Sequence, residues 1–305
     1  MFGAAIAEAQ SIHLLLVADT TDPNLVSASQ TNIQRIEKKF AELASSINHQ
    51  LNIHKVVKNR LAYRDIDALI KRVDSAKEDI IFFHYSGHGV NSQTDRWPKF
   101  LINDPQNQAK LSLIKSRLEQ RDHRLLICMA DCCNLAYFPR GASKRSQWNT
   151  EELTGKGEQQ SLEKLFLQHS GSIICSGSQP GRPSHYESAL GGYFTTSFFL
   201  ALFETQKGLH PPQWEKILER TAGLTLQMTS DINLNQRPQY EIEDYAKSFQ
   251  EAPKIETYQV RKGDTLYGIA KRHRVTLRNL RQWNDMAPTE NQIQVGQVLS
   301  IGQKN

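Results

Sequence analysis

The sequence predicts an α/β protein, with a mostly parallel β-sheet flanked by helices and a small separate βααβ module after it. Continuous apolar runs alternate along the chain with segments in which apolar residues recur at helical spacing. The chain has 305 residues, 39% hydrophobic and 23% charged, which is typical of a globular protein with one large and one small domain. Its longest apolar runs are far too short to cross a bilayer, so no membrane span is predicted.

The predicted strands are short apolar runs that end in turn residues. The first, IHLLLVAD (12–19), lacks polar alternation, which is typical of a strand buried on both faces of a sheet. The remaining strands are predicted at 51–57, 79–86, 124–130 and 171–177.

The predicted helices lie between and after these strands. In 32–47, Ile33, Ile36 and Phe40 recur on one helical face. The other helices are predicted at 63–73, 110–120, 192–206 and 211–229. Strands connected through helices run parallel, and ligands bind outside the carboxyl ends of such strands. We therefore expect HYSGHG (84–89) and DCCN (131–134), which follow the third and fourth strands, to lie at one edge of the sheet.

Polar segments divide the chain into four parts. These are an N-terminal tail (1–10), the large domain (11–248), a linker (249–256) and the small module (257–305). Residues 7–9 read Ala-Glu-Ala, like a signal-peptidase site, but the tail lacks a basic start and its apolar run is short. Both a frayed terminus and the remnant of a signal peptide stay open at this point.

The four cysteines do not form the paired CxxC spacing of a zinc site, and no metal site is predicted. So few cysteines in a chain of this length also argue against a disulfide scaffold. Cys128 and Cys175 lie inside apolar strands and are expected to be packing residues. Cys132 and Cys133 are adjacent, and neighbours on an extended chain point to opposite sides. One site can therefore use only one of these two thiols.

A cysteine nucleophile needs a base for its proton and donors for the oxyanion that forms when it attacks a carbonyl. SGHG supplies His88 between two glycines, 45 positions before Cys133. Here the sequence resembles the caspase and metacaspase family, in which a cysteine follows a histidine at about this separation. The resemblance implies that Cys133 is the nucleophile and His88 the general base and acid. It also implies that the N–H groups of Gly89 and Cys133 form the oxyanion hole, while Cys132 occupies a variable position.

The resemblance extends over roughly 12–240 and has implications for specificity. Later matches are SGSQPGRPSHYE (176–187), GGYFTTSFF (191–199) and NQRPQY (235–240). By resemblance to metacaspases, Asp131 lines the primary specificity pocket and pairs with Arg or Lys of the substrate. Asp104 resembles a second acidic wall of that pocket, with a plain turn residue as the alternative. We therefore expect cleavage after Arg or Lys and not after Asp.

A polar segment with basic residues, 137–161, interrupts the strand and helix pattern after the proposed nucleophile. Long segments of this kind inside a domain are usually functional or disordered. Caspase-like enzymes are often cut in this region, which suggests sites where an Arg/Lys-specific enzyme could cut itself. A simple solvated loop is the alternative. The candidate processing residues are Arg140, Lys144, Arg145 and Lys156.

The small module resembles a LysM domain, from VRKGDTLYGIA (260–270) through VTLRNLRQWN (275–284) to IQVGQVLSI (293–301). From 257 onward there are eight Lys/Arg and three Asp/Glu, so the whole formal charge of +5 lies in this module. LysM modules bind N-acetylglucosamine chains, typically peptidoglycan or chitin. Nucleic acid is not expected, because the usual aromatic stacking platform is missing. By resemblance, the glycan-binding residues are Gly263, Asp264, Thr265, Leu266, Gln292 and Ile293.

These motifs favour the hypothesis that the protein is a bacterial caspase-like cysteine endopeptidase that cleaves proteins after Arg or Lys and is tethered to the cell wall. Two alternatives stay open: a peptidase of peptidoglycan cross-link peptides, and a non-catalytic wall-binding or signalling module. We expect the enzyme to require no cofactor, although some metacaspases are activated by calcium. A monomer is expected, in the periplasm or outside the cell, while the N-terminus does not decide against the cytoplasm.

Overall fold

A computed structural model describes residues 10–92, 94–104, 109–136, 159–245, 254–273, 275–284, 286 and 291–304. The chain divides into two compact units, Met1–Tyr245 and Ala246–Asn305. The predicted N-terminal tail lies outside the described residues except for Gln10.

The large unit is built from alternating strands and helices. Its strands are β1 (Ser11–Asp19), β2 (Gln50–Lys58), β3 (Ile80–Ser86), β4 (Gly89–Val90), β5 (Lys99–Phe100), β6 (Leu125–Asp131), β7 (Gly171–Ser176), β8 (Tyr186–Glu187), β9 (Gly191–Gly192) and β10 (Gln239–Asp244). Its helices are α1 (Pro23–Ser46), α2 (Tyr63–Lys71), α3 (Leu111–Leu118), α4 (Gln159–Leu167), α5 (Tyr193–Gln206) and α6 (Trp214–Ser230).

The central sheet has the strand order β10-β7-β6-β3-β1-β2. All its neighbours run parallel except β10, which pairs antiparallel with β7. The strand connections predicted from the sequence are therefore confirmed. Because parallel strands end together, the carboxyl ends of β1, β3 and β6 meet at one edge of the sheet.

Side chains that alternate along β1 enter two different cores, which explains why this strand is apolar throughout. Leu14 and Leu16 belong to a core completed by α1, α4, α5 and α6. Leu15 and Val17 belong to a second core, completed by α2 and α3. Helices thus cover both faces of the sheet, as a mostly parallel sheet requires.

This unit differs from the sequence-based prediction in α1, α4 and β10, and in the two-residue strands β4, β5, β8 and β9, which were not predicted. Helix α1 begins at Pro23, nine residues earlier than predicted, because Asp22 caps it: its Oδ1 accepts the N–H of Asn24 at 2.9 Å. Helix α4 begins at Gln159, inside the segment predicted as a loop. Strand β10 was not predicted as a strand, since after its buried first residue it alternates partly buried and exposed positions and carries the charges typical of an edge strand.

The second unit forms the predicted βααβ arrangement, with β11 (Lys254–Gln259), α7 (Leu266–Arg272), α8 (Leu277–Gln282) and β12 (Val298–Lys304). The hydroxyls of Thr265 and Thr276 cap the two helices by accepting backbone N–H groups. Its own small core includes Leu266, Ile269 and Leu280. Strand β11 begins at Lys254, within the segment assigned to the linker.

Candidate active site

The register of the sheet places His88 beside Cys133. Strands β3 and β6 pair Ser86 with Asp131, and beyond the strand ends an isolated parallel bridge pairs Val90 with Leu135. In each pair the two residues are 45 positions apart in the sequence, and His88 and Cys133 are also 45 positions apart. The spacing in the sequence is therefore the register offset of two neighbouring strands, and the two residues occupy matching places at the carboxyl edge.

Gly89 allows the two loops to approach. A Cβ atom added at Gly89 would lie 2.5 Å from the carbonyl oxygen of Cys133 and 2.6 Å from the Sγ of Cys132. Real Cβ atoms do not come this close to either atom, so any side chain at this position would push the two loops apart. Glycine is used here for close approach of two backbones.

We expect Gly89→Ala to slow the alkylation of Cys133 by iodoacetamide by about tenfold or more, because small displacements of reacting groups have large kinetic effects. The modified thiol would be located by tandem mass spectrometry. Gly223→Ala in α6 is the matched control, since a Cβ there would meet no atom within 4 Å. Unchanged alkylation in Gly89→Ala would contradict the requirement for glycine.

The two adjacent cysteines lie in different environments. Cys132 is 2% exposed and packs in the core beneath α2 and α3, where burial raises the pKa of its thiol well above the ordinary value. Cys133 is partly exposed, and its Sγ lies 3.3 Å from the backbone nitrogen of Ser184 and 3.5 Å from the Ser184 carbonyl oxygen. Only Cys133 is therefore placed to react with a molecule from solvent.

The surroundings of Cys133 do not by themselves favour a thiolate. Burial raises the pKa of the Cys133 thiol, the N–H of Ser184 partly offsets this, and the charge of Asp131 raises the pKa further. A thiolate at this position therefore needs a cationic neighbour. The strand register brings His88 to the matching place on the adjacent strand.

His88 is held by a carboxylate that the sequence motifs did not identify. Its Nε2 lies 2.8 Å from Oδ2 of Asp22, the residue that caps α1, and its backbone carbonyl accepts the hydroxyl of Tyr85 at 2.9 Å. Burial acts to raise the pKa of Asp22, but hydrogen bonds from Asn24 and His88 outweigh it and leave that pKa below its usual value. The signal available in the sequence was an aspartate followed by proline, a common helix start.

Asp131 lies at the end of β6 and is 8% exposed. Its Oδ2 accepts both the N–H (2.9 Å) and the hydroxyl (2.7 Å) of Thr195, and its Oδ1 accepts the hydroxyl of Ser184 at 2.8 Å. Gly177 and Gly192 face the carboxylate, and a Cβ at Gly192 would lie 2.0 Å from Oδ2. Burial raises the pKa of Asp131, and its three hydrogen bonds only partly offset this rise.

No Lys, Arg or His of the described residues forms an ion pair with Asp131. Its hydrogen-bond partners, Thr195 and Ser184, are neutral, and a further neutral group lies within α1. There the amide of Asn32 donates to the Ser86 hydroxyl at 3.3 Å and accepts the N–H of Gly192 at 2.9 Å. The site therefore holds a buried carboxylate among neutral polar groups.

The structure does not bring Asp104 to this carboxylate. Asp104 lines a surface pocket together with Lys58, Arg60 and Arg64, and the residues around that pocket do not include Asp131. The expectation that two acids form the walls of one pocket therefore has no counterpart in this geometry. The four candidate processing residues, Arg140, Lys144, Arg145 and Lys156, lie outside the described residues.

In the second unit, most of the predicted glycan-binding side chains have structural contacts. Asp264 accepts the Tyr258 hydroxyl and the N–H of Arg261, both at 2.8 Å, and pairs with Arg272. Thr265 is a helix cap and Leu266 is 2% exposed. Gly263 has a φ of +90°, Gln292 is exposed and Ile293 is partly buried. Recognition at these positions would therefore rest mainly on backbone groups.

No group of three or more His, Cys, Asp or Glu side chains is arranged to hold a metal ion within the part of the chain that the structure describes. None of the helices found there combines the length and the apolar character that a bilayer crossing demands.

Comparison with known proteins identifies two families. Residues 19–250 match the caspase domain family, and residues 258–302 match the LysM domain family. Among solved structures, the protein GSU0716 from Geobacter sulfurreducens is similar, with 16% identity and a TM-score of 0.46 over 77% of this chain and 93% of that chain. The two resemblances found in the sequence are thereby confirmed.

Proposed function

Because this chain belongs to the caspase domain family, a family of cysteine peptidases, we propose that it is an endopeptidase that cleaves proteins after Arg or Lys. We propose further that its LysM domain tethers it to an N-acetylglucosamine polymer such as peptidoglycan. The observation that carries the specificity is the buried carboxylate of Asp131, two residues before the nucleophile. A carboxylate among neutral groups favours a cationic substrate side chain and disfavours an acidic one.

In the proposed reaction, Cys133 is the nucleophile and His88 transfers protons. The thiol proton passes to the imidazole, and Sγ forms a bond with the carbonyl carbon of the Arg or Lys residue. The N–H groups of Gly89 and Cys133 donate to the resulting oxyanion. The imidazolium then protonates the leaving amine as the C–N bond breaks, and water releases the acyl group from Cys133.

A cationic substrate side chain also suits the free-energy balance at Asp131. A buried carboxylate without a cation is costly, and a substrate guanidinium or ammonium would supply the missing charge. A charge-assisted hydrogen bond of this kind is worth roughly 1.5–3 kcal/mol. That range corresponds to a preference of about ten- to 150-fold over an uncharged side chain.

The first experiment is hydrolysis of fluorogenic peptides that end in Arg, Lys or Asp, with and without calcium. We expect turnover of the Arg and Lys peptides by the parent protein and background rates for the Asp peptide. Cleavage after Asp would contradict the proposed pocket, and no cleavage of any peptide would contradict the peptidase. Digestion of muropeptides in parallel would distinguish protein cleavage from cleavage of wall cross-links.

The tethering is tested with the full chain and insoluble peptidoglycan. We expect the protein to sediment with peptidoglycan at high salt and to be released by soluble N-acetylglucosamine oligomers. Release by salt alone would instead show that the module, with its charge of +5, binds peptidoglycan through non-specific electrostatic attraction. Specific binding would support a periplasmic or extracellular location in contact with the wall.

A further inference from the structure

We propose that Asp22 is the positioning residue of a Cys133–His88–Asp22 triad, orienting the imidazole and stabilising its protonated form. This inference deepens the proposed function and rests on it. The supporting geometry is the 2.8 Å contact between His88 Nε2 and Asp22 Oδ2, two side chains 66 positions apart in the sequence.

The two oxygens of the Asp22 carboxylate have different hydrogen-bond partners. Oδ1 accepts the backbone N–H and the side-chain amide of Asn24, both at 2.9 Å, which caps α1 and fixes the carboxylate. Oδ2 faces the ring of His88. The cap therefore holds the second oxygen in place, so the carboxylate is already oriented when the imidazole becomes charged.

The surroundings show that Asp22 belongs to the reaction site and not only to the helix. Burial and the charges of both Asp22 and Cys133 raise the pKa of Tyr186, so this phenol on β8 lies near both groups. Among the described residues, Asp22 before α1 contacts His88 directly, Cys133 after β6 occupies the matching place in the strand register, and Tyr186 of β8 lies near Asp22 and Cys133. Of these, Asp22 is the one that carries negative charge before the thiol ionises, because its pKa is below the usual value.

The contact also assigns roles to the two ring nitrogens. A carboxylate at Nε2 favours the tautomer with hydrogen on Nε2, and the proton of Cys133 is then taken by Nδ1. The imidazolium formed in this step keeps its Nε2–H directed at Asp22, whose negative charge stabilises it. The same proton later leaves Nδ1 for the amine of the departing product.

Asp22→Asn separates this role from helix capping, because Asn caps helices as well as Asp does but carries no charge. We expect the thermal midpoint of Asp22→Asn to stay close to that of the parent. Alkylation of Cys133 at pH 6, relative to pH 9, should fall by about tenfold, since the imidazolium that stabilises the thiolate loses its carboxylate. In peptide hydrolysis, kcat should fall while KM changes little.

Asp65→Asn is the matched control. Asp65 Oδ2 also accepts a backbone N–H near a helix start, that of Ala62 at 2.9 Å, and pairs with Lys58 at 3.0 Å. This variant should leave the pH dependence of Cys133 alkylation unchanged. Alkylation would be measured on the peptide that contains Cys133, with the site located by fragmentation.

The alkylation readout does not depend on a substrate, so the two proposals can fail separately. A changed pH dependence in Asp22→Asn, in a protein that cleaves no peptide, would overturn the proposed function and support the role of Asp22. An unchanged pH dependence would overturn the role of Asp22, whether or not peptides are cleaved. An equal change in Asp65→Asn would overturn it as well.

Discussion

Cys133→Ala is expected to lower the hydrolysis of Arg and Lys peptides to the background rate, whereas Cys132→Ala should keep it within about threefold of the parent. The loss in Cys133→Ala should be about 10⁵-fold or more, as when the nucleophile of a catalytic unit is removed. Cys132 lies in the core beneath α2 and α3 and is 2% exposed, so its thiol cannot reach a substrate.

The two variants form a matched pair, since the positions are adjacent and each substitution removes one sulfur atom, leaving a methyl side chain. Cys132→Ala should cost about 1 kcal/mol of folding stability through lost packing, which its thermal midpoint would report. Activity that survives in Cys133→Ala and disappears in Cys132→Ala would reverse the assignment. Activity that survives in both variants would show that neither thiol is the nucleophile.

Asp131→Asn is expected to lower kcat/KM for Arg peptides by about ten- to 150-fold, the equivalent of one charge-assisted hydrogen bond. An Asn side chain fits the same contacts: its oxygen can accept both groups of Thr195, and its amide can donate to the hydroxyl of Ser184. The variant should therefore fold normally and lose mainly the preference for cationic substrates. Asp104→Asn is the control, and it should leave the preference unchanged because Asp104 lines a different pocket.

The same substitution has a predictable effect on stability. Burial raises the folded-state pKa of Asp131, so its charged form lowers stability at neutral pH. This cost is relieved as the pH falls through the folded-state pKa towards the ordinary value of 3.8. Asp131→Asn should therefore unfold at the same or a higher temperature than the parent at pH 7.5, and the difference should shrink as the pH is lowered towards 3.8. A lower thermal midpoint at pH 7.5 would contradict a buried, uncompensated charge.

The separation of His88 and Cys133 could be read from the sequence because it reflects local structure. His88 follows β3 by two positions and Cys133 follows β6 by two positions, and these two strands are neighbours in register. The second unit was equally predictable, since its helix caps and apolar spacing are determined by residues close together in the chain. Polar edge elements such as β10 gave no comparable signal.

Tertiary structure alone decided which distant polar groups meet. Asp22 contacts His88 because β1 lies beside β3 in the sheet, and Thr195 contacts Asp131 because the start of α5 packs against the end of β6. It also placed Asp104 in the lining of a pocket that does not include Asp131. Hydrophobic periodicity specifies which face of an element is buried but not which element it meets. The sequence by itself therefore determined the two families, the parallel part of the sheet and the matching positions of His88 and Cys133. The packing of remote elements determined which polar groups contact His88 and Asp131.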